Sequence, residues 1–286
     1  MTVLLQSRGQ LEDWLLSTSG PRGVVLTMGA LHAGHRALID AARAEVHSGT
    51  VLVTVFVNPT QFGPDEDFDQ YPRSLDADFA LCEAAGVDAV FAPSVDTVYP
   101  EYEAAADYEP GPLADTLEGA ARPGHFAAVL KVVSRLLQLT HAEVTCFGEK
   151  DFQQLTLVRR LPELEPALAS CRFVAVPIVR DDDGLALSSR NRYLTDDERQ
   201  AALALPECIA LVRHLCAEGA PAAEAARIGR GFLATSPGVR PDYVTVVAND
   251  MSAAPRTGEG RVLIAAQVGS TRLLDNAPVT LTPRPI

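Results

Sequence analysis

The chain has 286 residues, with 24 Lys+Arg against 37 Asp+Glu and a formal net charge of −13. Its composition, 47% hydrophobic and 21% charged, excludes whole-chain disorder, and at this length about three quarters of the unfolded surface can be buried, commonly in two domains. The acidity repels phosphate backbones and anionic membrane surfaces, which excludes general nucleic-acid binding but not a local cationic pocket for a small anion.

No apolar run approaches the roughly 18–20 residues of a membrane span, and the N-terminus lacks the basic start and small-residue cleavage site of a secretion signal. The five cysteines are scattered and form no C-x-x-C pair. They read as buried thiols of a reduced, cytoplasmic protein, not as a zinc site or a disulfide frame.

In chain order, Gly23-Val-Val-Leu-Thr27 reads as a short strand. A loop over residues 28–34 leads into a helix from His35 to about Glu45, where Ala37, Leu38, Ala41 and Ala42 recur at helical spacing. Thr50-Val-Leu-Val-Thr-Val-Phe-Val57 is rich in β-branched residues and fits a strand buried on both faces. Residues 74–85 read as a helix capped by Ser74 and ended by Gly86, and residues 88–91 as another strand. Residues 99–124, acidic and rich in Pro and Gly, read as loop with a short helix.

Phe126, Val129, Val133, Leu136 and Leu137 line one face of a helix over residues 126–139. A strand at 143–147, a helix over 151–160 and a strand at 171–179 follow. Strands alternating with helices predict an α/β domain, a doubly wound parallel sheet over residues 1–180. Residues 181–286 are expected to form a smaller C-terminal α+β domain. It has a helix over 195–217, a Gly-Ala-Pro break at 219–221, a second helix, and strands at 242–247 and 261–268.

In a doubly wound sheet, ligands sit beyond the carboxyl ends of the strands. The loops expected there carry the candidate chemistry. Thr27-Met-Gly-Ala-Leu-His-Ala-Gly-His35 leaves a strand and opens a helix. Gly29 and Gly34 permit close backbone approach, and N–H groups at a helix start attract anions. His32 and His35 can donate to phosphate oxygens as charge grows. They could equally be a metal pair or ordinary helix-start residues. Phe147-Gly-Glu-Lys-Asp-Phe-Gln-Gln154 also joins a strand to a helix, with Lys150 a point charge for phosphates, Asp151 a cap or a ribose partner, and Gln154 one turn on. Its bland reading is a solvated capping segment.

Gly184-Leu-Ala-Leu-Ser-Ser-Arg-Asn-Arg-Tyr193 gathers hydroxyls and guanidinium groups near the predicted junction. Ser188, Ser189 and Arg190 could grip a triphosphate, or simply form a polar linker. Phe56-Val-Asn-Pro-Thr-Gln-Phe62 offers the neutral amides of Asn58 and Gln61, which suit a hydroxy acid better than a phosphate. Arg122-Pro-Gly-His-Phe126 reads first as a helix entry. There is no G-x-S-x-G, no Walker loop and no G-x-G-x-x-G, which disfavours a covalent intermediate and hydride transfer.

Taken together, Met28-Gly-Ala-Leu-His-x-Gly-His35, Phe56-Val-Asn-Pro-Thr-Gln-Phe62, Arg122-Pro-Gly-His-Phe126, Gly148-Glu-Lys-Asp151 and Ser188-Ser-Arg-Asn191 resemble the pantoate–β-alanine ligase (pantothenate synthetase) family. The first and last correspond to the paired signatures of HIGH-motif nucleotidyltransferases, which implies a Rossmann-like, HUP-type fold. The resemblance implies that pantoate attacks ATP to give pantoyl adenylate and pyrophosphate, and that β-alanine then displaces AMP, with Mg2+ spreading phosphate charge.

The resemblance further implies an ATP site lined by Met28, Gly29, Ala30, Leu31, His32, Ala33, Gly34, His35, Gly148, Glu149, Lys150, Asp151, Leu187, Ser188, Ser189 and Arg190, with Val179 meeting adenine through its backbone. His32, His35, Lys150, Ser188, Ser189 and Arg190 would serve catalysis. Gln61, Gln154 and Asn58 would hold pantoate. A homodimer and a C-terminal domain acting as a lid are implied as well.

Two departures stand out. Leu187 replaces a frequent Met, a volume-conserving swap, and Ala127 and Ala128 replace bulkier residues. Three rival readings are a nucleotidyltransferase that keeps AMP on its product, a tRNA-charging fragment, and a non-catalytic nucleotide sensor.

Overall fold

The computed structural model describes residues 1–63, 68–101 and 105–283. Positions 102–104 of the loop expected at 99–124 lie outside them. The chain divides into two units: Met1–Glu149 with Gln153–Pro177, and Lys150–Phe152 with Ile178–Ile286.

The first unit runs β1 (Val3–Leu5), α1 (Arg8–Ser17), β2 (Arg22–Thr27), α2 (Ala33–Val46), β3 (Thr50–Val55), α3 (Leu75–Ala84), β4 (Ala89–Phe91), α4 (Val95–Val98), α5 (Glu118–Ala121), α6 (His125–Leu139) and β5 (Val144–Gly148). It continues through α7 (Phe152–Val158), whose first residue belongs to the second unit, α8 (Leu161–Leu164) and β6 (Arg172–Val176). The strands form one six-stranded sheet in the order β1-β4-β3-β2-β5-β6, and every pairing is parallel.

This order contains a reversal. From β2 the chain winds outward through β3 and β4, then returns through α6 to place β5 on the other side of β2. The carboxyl ends of β2 and β5 therefore lie side by side at the switch point, where such sheets hold ligands. Thr27 ends one strand and Gly148 the other.

Both faces of the sheet are covered. Val25, Val51, Val53, Val90, Val144 and Cys146 pack with Ile39, Ala42 and Val46 of α2 and Cys82 of α3. The stripe expected on α6 is buried as read: Phe126, Val129, Val133, Leu136 and Leu137 are all under 6% exposed. Each such aliphatic side chain contributes about 1.5–3 kcal/mol relative to exposure.

Four local expectations are corrected. The helix after the first loop starts at Ala33, not His35, because His32 caps it. Ser74 occupies the cap position of α3 but its side chain makes no cap hydrogen bond. Strand β6 stops at Val176, short of 179. The sequence reading placed no strand at β1, which pairs with β4 at the sheet edge.

The second unit packs α9 (Asp196–Ala202), α10 (Ala204–Ala217) and α11 (Ala222–Thr235) with an antiparallel sheet of β7 (Val239–Val247), β8 (Gly258–Val268) and β9 (Thr271–Leu281). The single helix expected over 195–217 is two helices, broken at Leu203. The first is capped reciprocally by Thr195 and Glu198.

By length and composition alone, the stretch Asp196–Ala217 reaches what a membrane span needs, against the expectation that no run comes near. Its apolar residues are engaged otherwise. Ala202, Leu205, Cys208, Ile209, Val212 and Cys216 are buried with Val262, Ile264 and Val279 of the sheet. Strand β9, unread in the sequence, pairs with β8 along its whole length.

Candidate active site

In the first unit the site grows from the end of β2. Thr27 donates its hydroxyl to the Thr54 carbonyl (2.6 Å) and accepts the Gly29 N–H (3.2 Å), which ties the loop start to β3. Gly29 has φ +85, and a Cβ there would meet Asp78 Oδ2 at 2.9 Å. Ala30 also has positive φ, +53. Asp78 of α3, 2% exposed, accepts Ala30 N–H through Oδ2 (3.0 Å) and Leu31 N–H through Oδ1 (2.7 Å). Asp78 is one of two aspartates in the helix expected over 74–85, and its residue type alone did not mark this role.

His32 and His35 cap α2 together. His32 Nδ1 accepts the Gly34 N–H (3.1 Å), and His35 Nδ1 accepts the His32 N–H (3.2 Å). Their ring centroids are 4.2 Å apart. A backbone N–H only donates, so each Nδ1 is an acceptor and each neutral ring carries its proton on Nε2. The ordinary helix-start reading and the donor reading are thus compatible, since one nitrogen caps and the other donates. Among the described residues there is no group of three or more His, Cys, Asp or Glu that could hold a metal, so the metal-pair reading finds no further ligands.

The turn after β3 sits against this loop. Gln61 donates from Nε2 to Met28 Sδ (2.7 Å). Asn58 is 1% exposed and caps the turn Pro59–Gln61, accepting Thr60 N–H and hydroxyl through Oδ1. Its Nδ2 lies 3.4 Å from Gln61 Oε1.

The Gln61 carbonyl accepts from Arg122 Nη2 (3.2 Å) and from His125 Nδ1 (2.9 Å). Arg122 Nη1 reaches His125 Nε2 at 2.8 Å. Arginine only donates, so His125 is protonated on Nδ1, the opposite tautomer to His32 and His35. The Arg-Pro-Gly-His entry to α6 therefore fixes the turn that carries Gln61.

Gln154 is half-buried on α7. Its neighbour Gln153, 4% exposed, is structural: it donates to Leu113 O and Thr116 O and accepts from Glu118 N.

In the second unit, Lys150 lies in the 3-10 turn Glu149–Asp151 ahead of α7, not on an α-helical face. Its carbonyl accepts from Asn276 Nδ2 (2.9 Å). Ser188 caps the 3-10 turn Ser189–Tyr193 by accepting Arg190 N–H, and Asn191 Nδ2 donates to Ala186 O (3.0 Å). The Val179 carbonyl accepts Leu187 N–H (3.0 Å), so these two candidate positions are held to each other. Arg180, Arg261, Asp275 and Asn276, which join these segments, were absent from the sequence reading. Strand β9 was not recognised, and the only signal was a polar pair inside Leu-Leu-Asp-Asn-Ala.

The sequence profile described as pantoate-beta-alanine ligase matches residues 4–278. The chain belongs to this family. The ligase is 48% identical over 285 residues to the pantothenate synthetase of Salinispora arenicola, which covers 99% of both chains. Among solved structures it is similar to a pantothenate synthetase of Thermus thermophilus, at 42% identity and TM-score 0.88, covering 97% of this chain and 99% of that one. It is also similar to the pantoate-β-alanine ligase of Francisella tularensis, solved with β-γ ATP and β-alanine, at 31% identity and TM-score 0.79, covering 97% of each chain. The enzyme is a ligase that forms pantothenate from pantoate and β-alanine, and its parallel α/β sheet with a small antiparallel unit is the fold expected.

Proposed function

We propose that the ligase works through ATP and a pantoyl adenylate, as a cytoplasmic homodimer. The pantoate carboxylate oxygen attacks the α-phosphorus, the bond from that phosphorus to the bridging oxygen breaks, and pyrophosphate leaves. The β-alanine amine then attacks the acyl carbon and gives up a proton, the acyl–oxygen bond breaks, and AMP leaves. Nothing is transferred to the protein, so its work is positioning and charge stabilisation.

The observation that carries this reading is the reciprocal cap of His32 and His35. It holds two Nε2–H donors at the opening of α2, beyond the carboxyl end of β2. Donors held there are already oriented when charge builds on the phosphate oxygens, and removing one such donor typically costs about 10²–10³-fold in rate. We assign the Nε2–H groups of His35 and His32 to hydrogen-bond donation onto that charge, each ring keeping its proton. Lys150, Ser188, Ser189 and Arg190 neutralise the triphosphate. Met28–Leu31, Ala33, Gly34, Gly148, Glu149, Asp151, Val179 and Leu187 line the nucleotide.

Gln61 and Gln154 hold pantoate, and the buried Asn58 supports Gln61. A Cβ on Gly148 would meet no described atom within 4 Å, so the space beside it is open to the nucleotide. Mg2+ would enter on the nucleotide phosphates, as is usual for that ion, and no step is assigned to it. The five buried, unpaired cysteines suit a reducing compartment.

The test is product formation with each substrate omitted in turn. The reading expects pyrophosphate from ATP and pantoate alone, and free AMP only when β-alanine is added. AMP release without pantoate, or an adenylylated end product, would overturn it.

A further inference from the structure

The second unit contains a polar core that no step above uses. Asp275 and Asn276 sit side by side on β9, each 2% exposed, in a strand whose other buried residues from Leu273 onward are apolar. Both side chains reach back to segments that precede α9.

Asn276 spans two partners. Its Oδ1 accepts Arg261 Nη1 (2.5 Å), and its Nδ2 donates to the Lys150 carbonyl (2.9 Å). Arg261, 6% exposed, lies with its guanidinium carbon 4.0 Å from the centre of the Phe152 ring. The segment Lys150–Phe152 is thus held at its first residue by an amide and at its last by a cation–π contact, both originating in the C-terminal sheet.

Asp275 holds the other segment. Its carboxylate takes both terminal nitrogens of Arg180, Nη1 at 2.7 Å and Nη2 at 2.8 Å, and also the Asn276 N–H at 2.7 Å. Arg180 Nη2 reaches the Asn276 carbonyl (3.2 Å), and Nη1 the Gly184 carbonyl (3.0 Å). Arg180 pairs with Ala186 in the small antiparallel loop where Leu187 N–H meets Val179 O. One dipeptide therefore anchors the turn with Lys150 and the loop with Val179 and Leu187, which runs directly into Ser188-Ser-Arg190.

We propose that Asn276 is the positioning residue for Lys150 in ATP binding, and that Asp275 does the same for the 179–190 loop through Arg180. This rests on the assignment of Lys150 to the triphosphate. Asn276 is well suited to the task. Its primary amide accepts from the arginine on oxygen and donates to the carbonyl from nitrogen, so two separate atoms hold the two partners, where a serine hydroxyl offers only one. With its carbonyl tied, the Lys150 backbone is fixed, and the long side chain loses less freedom when it meets phosphate.

The experiment is a double-mutant cycle between Asn276→Ser and Lys150→Ala, read by calorimetric affinity for an ATP analogue with a methylene between the α and β phosphorus atoms, and by steady-state kinetics. Serine carries no charge, so it does not repel the nucleotide. We expect Asn276→Ser to weaken the analogue roughly five- to tenfold, the worth of about one hydrogen bond, to raise the KM for ATP, and to leave the KM for pantoate unmoved. In the Lys150→Ala background the same change should alter affinity less than about twofold. Asn276→Ala should show the same pattern, should serine disturb the fold.

Equal weakening in both backgrounds, or none in either, overturns the proposal while Lys150→Ala itself is impaired. Wild-type affinity in Lys150→Ala overturns instead the assignment of Lys150, and this proposal with it. The two failures are distinguished by that single variant.

Discussion

Asp78 holds Ala30 in a left-handed backbone conformation: its Oδ2 accepts the Ala30 N–H at 3.0 Å, where Ala30 has φ +53. The conformation costs a non-glycine residue about 1–2 kcal/mol. The second carboxylate oxygen takes the Leu31 N–H at 2.7 Å, so the turn that leads to His32 is fixed by one buried side chain.

Asp78→Asn keeps one acceptor and turns an amide NH2 toward the other backbone N–H. A buried donor left unmatched costs about 1–3 kcal/mol. Urea unfolding should show that loss as a lower midpoint with an unchanged slope, and turnover should fall with it. Adding Ala30→Gly removes the left-handed penalty and should restore part of both. Full stability in Asp78→Asn alone would contradict this account.

The cap that His35 makes and the donor role proposed for it can be separated by substitution. Asparagine presents an oxygen near the position of Nδ1 and nothing near Nε2. His35→Asn should retain the cap on His32 N–H, and hence a near-wild-type melting temperature, while kcat falls about 10²–10³-fold. His35→Ala should lose the same rate and about 1 kcal/mol of stability as well. If asparagine kept most of the turnover, the Nε2 donor would have no part in the chemistry.

Arg122 and His125 both meet the Gln61 carbonyl, so on the proposed pantoate role of Gln61 they act as positioning residues for that substrate. Arg122→Ala should raise the KM for pantoate about tenfold, equivalent to one charge-assisted hydrogen bond of about 1.5 kcal/mol, with the KM for ATP unchanged. Steady-state titration of each substrate at saturating levels of the others decides this. A parallel rise in both constants would point to general unfolding of the turn.

Burial pushes the Cys82, Cys146 and Cys208 thiols up to about 12, and Cys171 to about 11, from an ordinary 9.0. At about pH 8 these groups are neutral and enclosed, so a thiol-specific disulfide reagent should modify none of the four in the folded protein and all of them in guanidinium. The sign of the linked stability follows. Below about pH 9 both states hold their thiol protons and stability is unaffected. Above it the unfolded chain ionises first, so stability declines as pH rises toward about 12. Denaturant midpoints between about pH 8 and pH 10.5 should fall, and a rise would contradict the burial.

Much of the fold was legible because its signals are local. The β-branched run at Thr50–Val55 and the apolar stripe of α6 each record a burial pattern that one element satisfies by itself. The misses have the same origin. Strand β1 is three residues long and takes its pairing from β4, 86 positions away in register (Val3 with Ala89). The start of α2 was misread because imidazoles rarely serve as a capping pair, although here they do.

For the site, the sequence alone determined which side chains are candidates for the proposed chemistry: two imidazoles at a helix opening, a lysine after a strand, and a serine–arginine turn, each recognisable from residue type and near neighbours. Only the tertiary structure decided how those groups are held. Asp78 reaches Ala30 across 48 positions, His125 reaches Gln61 across 64, and Asn276 reaches Lys150 across 126. A buried polar group must find a partner wherever the folded chain brings one, and that choice is set by which turns meet in space, which local sequence patterns do not encode.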